Sequence, residues 1–275
     1  MTPGRQITCV LLIIISLTLP SVARAESRID LAGQWLVRID RDDNYDPTTA
    51  TKDEKNLQGF RPVQLPGALR DSGLGDPVGP STGWIANDRP ELLQRPEYSK
   101  YQDPDRFKMP FWLQPERHYV GPAYYHRTVE IPATWRGQRV LLTLERPHWQ
   151  TQVWIDGELA GKDDSLSTPH IYDLTEQLSP GEHSLTIRVD NSLNTLDVGV
   201  NSHSVSDHTQ SAWHGIVGKM ELRAEPLVTI ENVQVYPSKD ARSVRVSLRL
   251  LGAETADRGE TVTLRVSQDG QALGR

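Results

Sequence analysis

Polar and apolar positions alternate along this chain in short runs with a period of two, the signature of strands that bury one face. Runs rich in Val, Ile, Leu and Tyr predict strands at Gln34–Ile39, Tyr124–Ile131, Arg139–Glu145, Thr151–Asp156, His183–Val189 and Ile216–Arg223. Asp156-Gly157 marks a hairpin, because both central residues of a type I′ turn need positive φ. Pro180-Gly181 punctuates the chain before the next strand. No window carries a sustained apolar period of about 3.6 residues, so long helices are not expected. Strand number and spacing predict an all-β sandwich of jelly-roll type over residues 26–225.

Two regions depart from that pattern. Between Leu57 and Gly121 the chain is irregular and rich in Pro, Asp, Arg and aromatics. Its later part, from Gly83 to Gly121, reads as a long excursion with a helical turn around Pro90–Gln94, and loops this long are often functional. Beyond Ala224–Pro226 come LVTIENVQVYP, SVRVSLRLL and TVTLRVSQDG, three more alternating runs joined by polar links.

The N-terminus reads as a cleaved secretion signal over residues 1–25. Arg5 supplies the positive region, Ile7 to Leu19 the apolar core, and Ala23-Arg24-Ala25 the small-x-small cleavage site. The apolar run is shorter than the roughly 20 residues a spanning helix needs. The single cysteine, Cys9, lies inside the signal, so no disulfide or thiol chemistry is expected in the mature chain. Removing Arg5 and Arg24 with no acid changes the net charge from −6 to −8 (−6 − 2). An acidic chain lacks the basic stripe that phosphate contacts need, which argues against nucleic-acid binding. The expectation is an exported protein, periplasmic or secreted, with no membrane association once the signal is cleaved.

The blocks YYHRTVEIPATWRGQRVLLTLE, TQVWIDGELAG, GEHSLTIRVDN and HTQSAWHGIVGKMEL, within Tyr124–Leu222, resemble the N-terminal sugar-binding domain of glycoside hydrolase family 2. LAGQWLVRID, with Trp35, resembles the family's opening G-x-W, and GFRPVQLPGALRDSGLGDP its early loop. The resemblance implies a sugar-binding jelly-roll sandwich followed, over residues 226–275, by the start of an immunoglobulin-like sandwich. Such a domain needs about 100 residues and about seven strands, so a truncated second sandwich is expected. In this family the catalytic groups lie on a barrel after the sandwiches. The partners implied are therefore a β-linked carbohydrate and a C-terminal barrel of the same protein. WHG stands where the family commonly has WNG, and GIVGKM where it more often has GIYRDV.

Retaining glycoside hydrolysis needs two carboxyl groups about 5 Å apart, one nucleophile and one acid. No segment matches the family's catalytic glutamates, so no catalytic residue is assigned. The resemblance implies instead that the loop after RVDN reaches the sugar, which points to Asp190, Asn191, Asp207 and Trp213 as substrate-binding residues. Sugars are held by hydroxyl hydrogen bonds and by C–H faces laid on aromatic rings. The alternative is structural: Asp190 and Asn191 would terminate a strand, and Trp213 would pack. His148 and Trp149, at a strand end where loops gather, form a further candidate sugar platform. Trp154 and Trp35 read as core residues. Phe111, Trp112, Tyr98 and Tyr101 in the excursion carry the same two readings, platform or packing. His203, His208 and His214 are spaced by five and six residues, matching no usual zinc pattern, so neither metal nor cofactor is expected.

Two functional readings follow. The first is the N-terminal part of an exported, β-galactosidase-like family 2 enzyme, framing substrate and supporting the barrel without cutting alone. The second is a free-standing carbohydrate-binding or adhesion module.

Overall fold

The computed structural model describes residues 11–17, 27–49, 57–85, 94–110, 112–193, 202, 205–207, 212–240, 243–252, 262–268 and 271–274. In chain order the strands begin with β1 (Leu11–Leu17), β2 (Arg28–Asp30), β3 (Gly33–Ile39), β4 (Arg61–Leu65), β5 (Gly67–Ala68) and β6 (Asp76–Pro77). There follow β7 (Arg117–His118), β8 (Pro122–Ile131), β9 (Arg139–His148), β10 (Gln150–Ile155), β11 (Glu158–Asp163) and β12 (His170–Asp173). The last are β13 (Gly181–Asp190), β14 (Gly215–Glu225), β15 (Thr229–Pro237), β16 (Val244–Leu251), β17 (Val262–Gln268) and β18 (Gln271–Gly274). Helical structure among the described residues is confined to short 3-10 turns, including Leu69–Ser72, Pro96–Tyr101 and Pro104–Arg106.

Residues Ser27–Ala224 form one compact unit. It holds a six-stranded antiparallel sheet, β11-β10-β13-β8-β3-β4, and a second sheet, β12-β9-β14-β2, with β5 paired to β14. The fold is therefore all-β, a sandwich of two antiparallel sheets. Alternation dictates what fills the space between them. Odd-numbered residues of β8 (Ala123, Tyr125, Val129, Ile131) join Leu185, Ile187 and Val189 of β13 in one core. Leu142 and Leu144 of β9, with Ile216, Met220 and Leu222 of β14, close that core from the other sheet. Each fully buried Leu or Ile stabilises the fold by about 1.5–3 kcal/mol relative to exposure. Tyr124 and His126 of β8 are buried too, on the opposite face: Tyr124 meets Tyr45 edge-on at 4.8 Å, and His126 lies 6.2 Å from Phe60. That second cover includes Tyr45 and Phe60, whose role the alternation alone does not reveal.

The expected hairpin is present. Asp156 and Gly157 have φ of 49° and 82°, and Ile155 faces Glu158 across the turn. Gly157 is also required sterically, since a Cβ there would lie 2.6 Å from the Thr48 carbonyl oxygen. The central pair is β8 with β13, in register from Gly181↔Ile131 to Asp190↔Pro122. This register matters for function because it brings the RVDN end of β13 beside Tyr119–Pro122. The helical turn expected around Pro90–Gln94 lies almost wholly outside the described residues. Turns are found instead at Pro96–Tyr101 and Pro104–Arg106, each begun by proline at a first helical position.

The second compact unit comprises Met1–Glu26 and Glu225–Arg275. Within it β15 pairs with β16, and β17 pairs with β18 and with β1. The LVTIENVQVYP, SVRVSLRLL and TVTLRVSQDG runs correspond to β15, β16 and β17. Leu11–Leu17, expected to lie in an export signal outside the fold, is here a strand with Leu11 opposite Gln268 and Leu17 opposite Val262. Its run of three isoleucines accounts for this, because β-branched side chains favour extended backbone.

Candidate functional site

Four loops of the Ser27–Ala224 unit meet at one end of the sandwich: the β9–β10 corner, the end of β13, the segment before β14, and the 3-10 turn after β5. Hydrogen bonds of the candidate residues hold them together. Trp149, joined to His148 by a cis peptide, is buried; its backbone N–H donates to the Asp190 carbonyl at 3.3 Å and its indole N–H to the Ser192 carbonyl at 3.0 Å. Asp190 accepts from the Ser192 N–H at 2.9 Å and from Arg188 at 2.9 Å.

Asn191 is the knot of this corner. It is 1% exposed, accepts from the Gly121 N–H at 3.0 Å, and donates to the carbonyls of Tyr119 (3.0 Å) and Trp213 (3.3 Å). One amide thus satisfies three backbone groups from two other segments. Asp207 does the same for the segment before β14. Fully buried, it accepts from Ile85 N–H (2.6 Å), Ala212 N–H (2.6 Å) and the His118 ring (3.0 Å). Buried polar groups must be paired, and here the pairing sets loop positions.

In front of these braces opens a cavity of about 720 Å³. Its walls include Arg70, Asp71, Glu145, Arg146, His148 and Trp213. The imidazole of His148 stacks on the indole of Trp213, with centroids 4.8 Å apart and planes 21° from parallel. His148 is buried, which pushes its pKa down to about 4, so the ring is neutral at pH 7. Its Nε2 has no hydrogen-bond partner among the described residues. Asp71 accepts from the Ala68 N–H at 3.1 Å, and Glu145 from the Lys219 N–H at 2.7 Å, so both carboxylates are anchored at the rim. The opening lies where Gly215 brings β14 against β5. A Cβ on Gly215 would meet the Gly67 carbonyl oxygen at 2.3 Å, so only glycine permits this approach.

His214 lies behind the wall. It is buried, its Nδ1 3.2 Å from the Tyr125 hydroxyl and its Nε2 3.0 and 3.1 Å from the carbonyls of Gly121 and Val189. The carbonyls require Nε2 to carry the proton, so Nδ1 accepts from Tyr125. Burial holds this ring's pKa down to about 4. The histidine of WHG is therefore a core residue that ties β8 and β13 to β14.

Of the candidate residues, His148 and Trp213 line the cavity, whereas Asp190, Asn191, Asp207 and Trp149 stand behind it with their polar groups committed to the protein. Arg70, Asp71, Glu145 and Arg146 had no signal strong enough in the sequence, because they become neighbours only when β5, β9 and β14 meet. His203 and His208 lie outside the described residues, and no metal-binding cluster occurs among the described ones. The cavity presents an aromatic face, guanidinium groups and fixed carboxylates, the set that recognises hydroxyl-rich ligands.

No family model matches the chain. It is 25% identical over 256 residues to a β-galactosidase, BgaC, of Bifidobacterium adolescentis, covering 90% of this chain and 22% of that protein. It is 22% identical over 250 residues to the β-galactosidase large subunit of Leuconostoc lactis, covering 88% of this chain and 37% of that one. Among solved structures, the β-glucuronidase of Faecalibacterium prausnitzii matches 93% of the chain with a TM-score of 0.52 and 18% identity. The sandwich is that of a family 2-like N-terminal domain. The β-glucuronidase of Ruminococcus gnavus shares the fold of this family 2-like chain at a TM-score of 0.55 and 14% identity. The chain spans 46% and 38% of those two structures. The named relatives of this family 2-like domain are thus glycosidases, and it spans less than half of each.

Proposed function

We propose that this chain is the substrate-framing N-terminal part of an exported glycosidase of β-galactosidase type. The observation that carries the reading is the match to β-galactosidases over 90% of the chain. The stacked His148–Trp213 wall supports it, because an indole face beside anchored carboxylates suits the apolar face and hydroxyls of a pyranose. In this reading Trp213 carries the sugar face, and Asn191 and Asp207 position the loop that presents it. A barrel elsewhere in the protein supplies the two carboxyl groups and cleaves the β-glycosidic bond with retention of configuration. Residues 1–25 direct export and are removed on the way. The 275-residue chain alone turns over no substrate.

The test has three readouts. The purified chain should give no release from nitrophenyl β-galactoside, and sustained turnover would defeat the framing role. Titration with galactose should shift the Trp213 indole resonance, and Trp213→Ala should remove the response. A spectrum unmoved at saturating sugar would overturn the assignment of the site. N-terminal sequencing of exported protein should begin at Glu26.

A further inference from the structure

A second cleft, of about 500 Å³, opens beside the β3–β4 pair and shares no residue with the His148 cavity. That size falls within the range of about 300–1,000 Å³ typical of small-ligand sites. Its charge runs against that of the chain. Arg38, Arg41, Arg61 and Arg117 line it together with Asp40 and Asp42, although the whole chain carries −6.

The four guanidinium groups differ in what already engages them. Arg41 makes two hydrogen bonds to Asp76, at 2.8 and 2.7 Å, and lies over the Tyr119 ring. Arg38 sits over Tyr45 and 3.9 Å from Asp40, whose buried carboxylate accepts the Tyr45 N–H. Arg61 and Arg117 have no carboxylate partner among the described residues. Arg117 donates to the Gly75 carbonyl at 2.9 Å, and Arg61 is exposed. Gly59, Gly73 and Gly75, with φ of 79°, 69° and 104°, leave stretches of wall as bare backbone.

A guanidinium fork matches a carboxylate or sulfate in a bidentate manner, while Asp and Asn side chains match hydroxyls. A ligand that carries one acidic group on a hydroxylated ring uses the whole set. We propose that this cleft is an accessory binding site for an acidic saccharide. Arg61 and Arg117 hold its anionic group, and Asp42 and Asn44 its hydroxyls. The inference stands on the cleft alone and is independent of the reading of the His148 cavity.

Calorimetric titration of the 275-residue chain tests it with four probes: an oligogalacturonide, its carboxyl-reduced counterpart, a sulfated oligosaccharide of equal length, and polyglutamate. One or both acidic sugars should bind, more weakly at high salt, and which binds better identifies the anionic group. Arg61→Ala should weaken binding at least about tenfold, the loss expected for a charge-assisted pair, and Arg61→Lys should restore part of it. Lys162→Ala, on β11, should leave affinity unchanged. Arg61 is exposed, so its variants should melt like the parent protein. Equal binding of the reduced sugar or of polyglutamate would overturn the proposal. So would unaltered affinity in Arg61→Ala, or no heat from either acidic sugar.

Discussion

Acid should destabilise the sandwich well before the pH falls to 4. His148 and His214 are buried as neutral rings, and burial lowers each pKa from 6.5 to about 4. The unfolded chain therefore binds more protons than the folded one between those values. Stability is fully present above the unfolded pKa of 6.5 and is lost as pH falls towards 4. The fall from 6.5 to about 4 limits the effect to about 3 kcal/mol per histidine. At pH 5 each ring has lost about 2 kcal/mol, so together they remove about 4 kcal/mol, a large share of a typical stability of about 5–15 kcal/mol. Asp46 and Asp173 have pKa values lowered from 3.8, Asp46 through hydrogen bonds from Thr48 and Asp173 through bonds from Thr175 and Arg139 that outweigh its burial, so both titrate below this window. Urea unfolding followed by tryptophan fluorescence from pH 7.5 to 4.5 measures the slope. His214→Gln preserves an amide donor near Nε2 but cannot charge, and it should roughly halve the slope between pH 6 and 5. A flat profile across that interval, or a variant with the parent slope, would refute the assignment of both rings as buried and neutral.

Other perturbations separate braces from cavity wall. Asn191→Ala leaves the Gly121 N–H and the Tyr119 and Trp213 carbonyls unpaired. It should cost about 2–4 kcal/mol in urea unfolding, and a loss below about 0.5 kcal/mol would show the knot to be idle. Gly215→Ala forces a methyl against the Gly67 oxygen at 2.3 Å and should yield unfolded or aggregated protein; a normal melt would contradict the close approach of β5 and β14. Trp213→Ala uncovers His148, so the His148 pKa measured by NMR should rise towards its ordinary value, and an unmoved titration would mean the indole does not shield it.

Much of the sandwich was legible from alternation because strands of both sheets turn one face into the shared core. Gly33–Ile39, Pro122–Ile131, Arg139–His148 and Gly181–Asp190 extend their predicted spans by only one to three residues at an end. Asp156-Gly157 specified its turn through backbone sterics alone. The short strands β2, β5, β6 and β7 left no readable pattern, since two or three residues cannot show a period. In the candidate site, residue type was informative and role was not. Asp190, Asn191 and Asp207 stood out as sugar-binding chemistry, yet a carboxylate or amide reads the same in sequence whether it faces solvent or a backbone N–H.

Local order was thus written in the chain: which segments extend, where one hairpin turns, and which motifs resemble a glycosidase sandwich. Those properties depend on side-chain period and on φ restrictions within a few residues. Only the tertiary structure decided that Asn191 binds backbone from positions 119, 121 and 213, that His148 lies against Trp213, and that four arginines share one cleft. Most of these contacts join residues tens of positions apart, and strand pairing within each sheet, together with the packing of the loops, sets their distances.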